Sequence, residues 1–228
     1  AVGKPESDKV YTIPVYRFRR DGEDWVSVGL KGHIMKVDFP EGFGKWNLDE
    51  LDALVRADVE KLPAERGIIR ALQNLAKKAD AVYMATDFDR EGELIGSDAR
   101  DLVREVNADV PISRVRFSAI TKDEIEAAFG EPGVISEELA QAGATRQDID
   151  LVWGAVLTRY LTLASNKAQR RAWGDVLSAG RVQTPTLKLI VDREREREAF
   201  VPETYWTVKG TFAKAAEEFV APHATGRF

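Results

Sequence analysis

The chain has 228 residues, 44% apolar and 31% charged, with a net charge of −5, which supports a globular core of one or two domains and argues against disorder. The lack of cysteine excludes disulfides, thiolate zinc sites and cysteine nucleophiles, and only two histidines, His33 and His223, exclude a histidine-rich metal centre. No apolar run approaches the roughly 20 residues of a membrane span, no signal-peptide pattern opens the chain, and a cytoplasmic location is expected.

Residues 11–19 and 25–30 read as two strands joined around Asp21-Gly22, a hairpin signal. Gly29, Gly32, Gly42 and Gly44 then punctuate a loop-rich stretch. Asn47 and Glu50 form an amide-type capping pattern ahead of Leu48, Leu51, Val55 and Val59, so a helix of about three turns is expected there. A second helix is expected over 67–78, with Ile68, Leu72 and Leu75 on its apolar face.

Residues 81–85 are a short, β-rich apolar run that reads as a buried strand. Directly after it, Asp87, Asp89 and Glu91 occupy alternate positions. They fall in the loop at the carboxyl end of a strand, where open α/β sheets place their ligand sites. Three hard oxygen donors in five residues suit Mg2+; a bare D-x-D is equally a solvated acidic turn.

A helix starting near Glu91 shows Leu94, Ile95, Leu102 and Val103 to the core, and 110–117 reads as another strand. Thr121 and Glu124 form a capping box before a helix that Gly130 stops. Strands alternating with helices indicate an α/β fold with a parallel sheet.

Glu131-Pro132-Gly133 marks a boundary, and 136–200 read as several helices. The clearest covers 186–199, with Leu187, Ile190 and Val191 as a stripe and a solvated run of alternating charge at its end. Residues 205–212 read as a strand opening something new. Within 141–190 seven bases, among them Arg146, Arg159 and Arg181, face three acids, a locally positive segment in an acidic chain.

A second informative string is L-S-A-G-R-V-Q at 177–183: a small-residue turn, Arg181 and Gln183, immediately before a helix. Backbone N–H groups at a helix start, together with an arginine, can hold phosphate oxygens; an ordinary helix entry has the same composition. Arg146 and Asp150 lie four apart on one helix face, as in any surface ion pair.

The string D-F-D-R-E-G-E at 87–93 closely resembles the metal-binding signature of the TOPRIM domain in type IA DNA topoisomerases. L-S-A-G-R-V-Q, followed by D-R-E-R-E-R-E-A-F-V-P-E-x-x-W, resembles the helical DNA-binding domain that follows TOPRIM in that family. R-F-S-A-I-T-K-D-E-I at 116–125 and the R-x-x-x-D at Arg146 and Asp150 also resemble it, so the likeness covers nearly the whole chain.

The resemblance implies a Rossmann-like TOPRIM domain, N-terminally incomplete, over 1–133. A mostly helical, winged-helix-like DNA-binding domain would follow over 134–204, and the first strand of an arch domain over 205–228. It implies DNA as partner, Mg2+ as cofactor, no nucleotide cofactor and no membrane. Carried over by motif, Asp87 and Asp89 would bind Mg2+, and Glu91 would support that site or help move a proton. Arg90 would touch the scissile phosphate or pair with a neighbouring acid. Ser178, Arg181 and Gln183 would hold single-stranded backbone, and Arg146 and Asp150 would line a pocket for a base upstream of the cut. His33, in a G-H pair at a similar place, would approach DNA or cap a loop.

The chain departs from the family in two ways. Glu6 lies in a polar segment with no strand before it, so the glutamate that opens the family's TOPRIM domain is not assigned. None of the five tyrosines (Tyr11, Tyr16, Tyr83, Tyr160, Tyr205) has the context of the family's nucleophile; Tyr83, Tyr160 and Tyr205 are expected in core packing. The expected identity is therefore an internal piece of an ATP-independent enzyme that relaxes negatively supercoiled DNA through a 5′-phosphotyrosine. The alternatives are a non-catalytic single-stranded-DNA-binding module or another TOPRIM enzyme, a primase or nuclease, against which 178–183 speaks.

Overall fold

A computed structural model describes residues 4–169, 176–215 and 217–224. By its contacts the chain divides into two compact units, Ala1–Arg181 and Val182–Phe228.

The first unit opens with an antiparallel meander, β1 (Glu6–Val10), β2 (Ile13–Arg20) and β3 (Glu23–Val28). Asp21 and Gly22 both take positive φ, 53° and 88°, as a tight primed turn between right-twisted strands demands. β1 has no apolar alternation to announce it: it is an exposed edge strand, tied to β2 by the Asp8–Arg17 ion pair at 2.7 Å.

Two further strands pair antiparallel where none was expected, β4 (Met35–Asp38) in the glycine-punctuated stretch and β5 (Glu60–Pro63) between the two expected helices. Each is four residues long, and each needs a distant partner that no local pattern reveals. The expected three-turn helix between them shrinks to a 3-10 turn, Leu48–Glu50, capped by Asn47, and α1 (Leu51–Val55).

The α/β part follows as read: α2 (Arg66–Ala76), β6 (Val82–Met84), α3 (Arg90–Arg104), β7 (Ile112–Arg114) and α4 (Lys122–Gly130). β6 and β7 are parallel, with Val82 opposite Ile112 and Met84 opposite Arg114. The core lies between α2, α3 and these strands, built on Ile34, Ile68, Leu72, Met84, Leu102 and Val103. The capping box at α4 is split: Thr121 accepts from the Glu124 amide, but Glu124 accepts from the amide of Ser118.

Instead of several helices, residues after 136 form one helix of 33 residues, α5 (Glu137–Gln169). Its internal glycines are not breaks. A Cβ on Gly143 would lie 2.6 Å from the Arg90 carbonyl, so this glycine is what lets α5 cross α3 at backbone contact.

The second unit holds α6 (Gln183–Glu198) and the hairpin of β8 (Lys209–Lys214) and β9 (Glu217–Pro222), later than the strand expected at 205–212. Among the described residues of 134–204, the regular elements are the two helices. Leu187 and Ile190, two of the three residues of the expected apolar stripe, are 61% and 62% exposed. None of the three tyrosines expected in core packing lies in the core: Tyr83 is 36% exposed with its ring stacked on Trp25 at 5.1 Å, and Tyr160 and Tyr205 are about half exposed.

Candidate functional site

The acidic loop is held from beneath by a buried arginine. Arg114, fully buried, donates from Nη1 to the carbonyls of Met84 (3.1 Å), Thr86 (2.7 Å) and Val115, and from Nη2 to that of Asp87 (2.7 Å). Its Nε lies 3.1 Å from Oε1 of Glu93, which is also fully buried. Glu93 additionally takes Arg116 on Oε1 at 3.2 Å and the Ser136 amide on Oε2 at 3.2 Å. Burial pulls the Arg114 guanidinium below its usual value, and Glu93 opposes that pull. A buried arginine surrounded by carbonyls and one carboxylate fixes the course of the chain through them.

Three more contacts finish the loop. Thr86 Oγ1 donates to the Gly92 carbonyl at 2.7 Å. The Phe88 amide donates to the Phe117 carbonyl at 3.3 Å, while the Phe88 ring lies under the Arg116 guanidinium at 5.3 Å. Asp89 is the N-cap of α3, accepting the Gly92 amide on Oδ1 at 2.7 Å. A Cβ on Gly92 would sit 2.1 Å from the Asp87 carbonyl oxygen, so only glycine fits. The backbone is thus locked while the side chains of Asp87 and Asp89 stay exposed.

Glu91 parts company with those two aspartates. Alternation puts 87, 89 and 91 on one side only while the chain is extended; α3 begins at Arg90, and the helix turns Glu91 elsewhere. Its Oε1 meets Arg146 Nη1 at 2.9 Å and its Oε2 meets His33 Nε2 at 2.9 Å. Among the described residues no three His, Cys, Asp or Glu side chains converge as a metal cluster. Two exposed carboxylates on a rigid loop still match Mg2+, which takes one or two carboxylates and completes its shell with water and substrate phosphate.

From Glu91 a chain of polar contacts runs on in both directions. Gln147 Nε2 donates to His33 Nδ1 at 3.1 Å, which leaves His33 Nε2–H to donate to Glu91. His33 therefore does not cap its own loop. Arg146 reaches Asp150 at 3.8 Å, and Arg181 grips Asp150 with a two-pronged pair, Nε to Oδ1 at 2.6 Å and Nη2 to Oδ2 at 3.0 Å. The Arg181 hydrogen bonds hold the Asp150 carboxyl below the usual carboxylate range, against a smaller upward push from burial. Arg146 and Asp150 are therefore a bridge between Glu91 and Arg181, more than an isolated surface pair.

The placement of Arg181 follows from a stripe at four-residue spacing on α5. Gly154, Thr158 and Thr162 continue the face that carries Arg146 and Asp150. Thr162 Oγ1 accepts the Leu177 amide at 3.0 Å; Thr158 Oγ1 accepts the Ala179 amide at 3.0 Å and donates to the Ala179 carbonyl at 3.2 Å. Gly154 lies beside that carbonyl, where a Cβ would make an ordinary contact at 3.9 Å. The 177–180 segment, including Ser178, is thereby laid along α5 and delivers Arg181 to Asp150. Gln183 opens α6 in the second unit.

Arg90, Arg146 and Arg181 line an open cleft of about 480 Å3 together with one acid, Glu138, and with Gln141, Thr145 and Ile149. Among the described residues the Arg90 side chain has no ion-pair partner, so it does not pair with a neighbouring acid. The sequence reading missed Arg114 and Glu93; the one available signal was a charged residue, Glu93, on the core face of a helix beside Leu94.

Residues 16–120 match the Toprim domain family and residues 134–228 match the DNA topoisomerase family. The chain is similar to DNA topoisomerase 1 of Archaeoglobus fulgidus, 46% identical over 206 residues, covering 90% of this chain and 30% of that protein. It is 39% identical over 212 residues to DNA topoisomerase 1 of Thermoplasma acidophilum, covering 93% and 27%. With DNA topoisomerase 1 of Escherichia coli it shares 38% over 169 residues, covering 74% and 18%. The chain thus spans less than a third of the length of these relatives. The locked acidic loop between β6 and α3 is that of a TOPRIM domain. With both matches in this order, the chain belongs to the type IA DNA topoisomerase family.

Proposed function

We propose that this chain supplies the Mg2+ site and the single-stranded-DNA groove of an ATP-independent type IA topoisomerase that relaxes negatively supercoiled DNA. In this reading 1–133 are the TOPRIM domain, 134–204 a winged-helix-like DNA-binding domain and 205–228 the opening of an arch. The observation that carries it is the cleft of Arg90, Arg146 and Arg181, in which Arg90 directly follows the Asp87–Asp89 loop. Guanidinium groups spaced around a cleft suit successive phosphates of one strand.

In the reaction a tyrosine Oη attacks the scissile phosphorus and the bond to O3′ breaks. A 5′-phosphotyrosine and a free 3′-hydroxyl result, and the reverse step reseals the strand. That tyrosine is assigned to none of the five in this chain. Asp87 and Asp89 would hold Mg2+, which when bound draws charge from the phosphate oxygens. Arg90 binds the scissile phosphate, and Arg146, Arg181 and Ser178 hold the flanking backbone. Glu91, hydrogen-bonded by His33, keeps Arg146 aimed and stands ready to pass a proton. A primase or nuclease reading loses ground because 134–228 match the DNA topoisomerase family. A module that only holds the strand remains the alternative where no tyrosine is supplied.

Fluorescence anisotropy of the chain with a labelled single strand and with a duplex, across salt, tests the reading. The single strand should bind tighter, affinity should fall steeply with salt, and Arg181→Ala should weaken it about tenfold, roughly 1.4 kcal/mol. Equal affinity of Arg181→Ala and the parent chain, or preference for the duplex, would contradict it.

A further inference from the structure

His33 reaches Glu91 from the residue pair that precedes β4, and β4 is paired to β5. The junction is firm: the Ile34 carbonyl accepts the amides of Ala64 (2.9 Å) and Glu65 (3.2 Å), and Ile34 is fully buried. At the far end of this ladder Val37 faces Lys61, and Lys61 Nζ is ion-paired to Asp98 Oδ1 on α3. Asp98 is seven residues after Glu91, two helical turns or about 10.5 Å along α3. Val37, opposite Lys61, is four residues after His33, about 13 Å along the strand. The β4–β5 ribbon is thus tied to α3 by side chains at two points, while β4 itself lies against α5.

The second point is unusual. The Asp98 side chain is 1% exposed, and its Oδ2 has no hydrogen-bond partner among the described residues. Burial pushes the carboxyl up despite Lys61, whose pull is the main opposing influence. Such a group is costly for stability, so it is poorly explained as a structural brace.

We propose that Lys61 and Asp98 are positioning residues: their ion pair ties the β4–β5 ribbon to α3 and so holds His33 on Glu91. The consequence for DNA rests on the function proposed above; the placement of His33 does not. Lys61 is 43% exposed at the side chain, so it can reach Asp98 from the solvent edge while leaving the carboxylate buried.

The chain has only two histidines, so its imidazole proton NMR spectrum is simple, and a His223→Gln variant assigns the His33 signal. Spectra are recorded without DNA, well below the thermal midpoint of each variant. Lys61→Met, which strips a buried carboxylate of its partner, should shift or broaden the His33 signal and lower single-strand affinity several-fold. Lys61→Arg should restore both. The double variant Lys61→Met/Asp98→Asn should regain thermal stability, because the buried charge goes with its partner, yet keep the displaced His33 signal, because the pair is still gone. If Lys61→Met fails to fold, Asp98→Asn alone should move the His33 signal in the same direction by less. A lowered midpoint with an unmoved His33 signal in folded Lys61→Met or Asp98→Asn would overturn the proposal and leave the pair a brace. A moved His33 signal with unchanged DNA affinity would support the positioning and count against the proposed groove instead.

Discussion

Glu91 and Glu93 stand two residues apart in the first turn of α3 and do opposite things. Glu93 points into the protein, fully buried, and its partner Arg114 carries the loop backbone, while its second partner Arg116 reaches the Val134 carbonyl. Glu91 points outward and joins His33 to Arg146 and, through Asp150, to Arg181. One half-turn of helix thus separates a scaffold from a site. The same charged residue type serves both because the helix aims one copy inward at the buried Arg114 and the other outward at the part-exposed Arg146 and His33.

The sharpest way to break the comparison is Arg114→Met. It leaves Glu93 buried without its main partner, and loss of such a partner costs about 3–5 kcal/mol. Denaturant unfolding should show that loss, whereas Arg181→Ala should change stability far less, since its pair is exposed. Similar stability losses for the two would erase the distinction.

Gly92→Ala is the next largest. Its Cβ would strike the Asp87 carbonyl, so the loop must shift, at about 1–3 kcal/mol for overpacking. A folded Gly92→Ala should also lose Mg2+-dependent effects on DNA binding, which titration of the variant with the metal would read.

The smallest effect is on pH dependence, where two aspartates have opposite signs. Asp150 has a lowered pKa from Arg181, so its contribution is present above the unfolded value near 3.8 and fades as pH falls through the lower folded value. Asp98 has a raised pKa, so its charged form disfavours folding. Stability should rise as pH falls from neutral through its folded value, and level off near the unfolded one. Lys61, His33 and Asp101 are the charges around Asp98 that shape this response. Asp98→Asn should flatten the rise, and Asp150→Asn should flatten the fall at lower pH, in thermal melts across pH.

The acidic loop was legible because its signals are local: an apolar run, a D-x-D-R-E-G-E string and a helix start. The parallel pair and α2 to α4 were legible for the same reason. What escaped reading depends on distant partners. Glu93 finds Arg114 21 residues away, and no local pattern tells a buried ion pair from an exposed one. β4 and β5 are four-residue strands defined only by each other. The α5 stripe of Arg146, Asp150, Gly154, Thr158 and Thr162 was in plain sight at four-residue spacing. Its meaning waits on the 177–181 segment that lies against it. The placement of Glu91 away from Asp87 and Asp89 turns on one residue, the point where extended chain becomes helix.

The most direct test of the account is the Mg2+ dependence of single-strand binding, measured by anisotropy for the parent chain and for Asp87→Asn. If the carboxylates and the arginine cleft form one site, Mg2+ should strengthen binding to the parent chain, and Asp87→Asn should abolish that gain. A gain that survives Asp87→Asn unchanged would contradict the account and separate the acidic loop from the DNA it is proposed to serve.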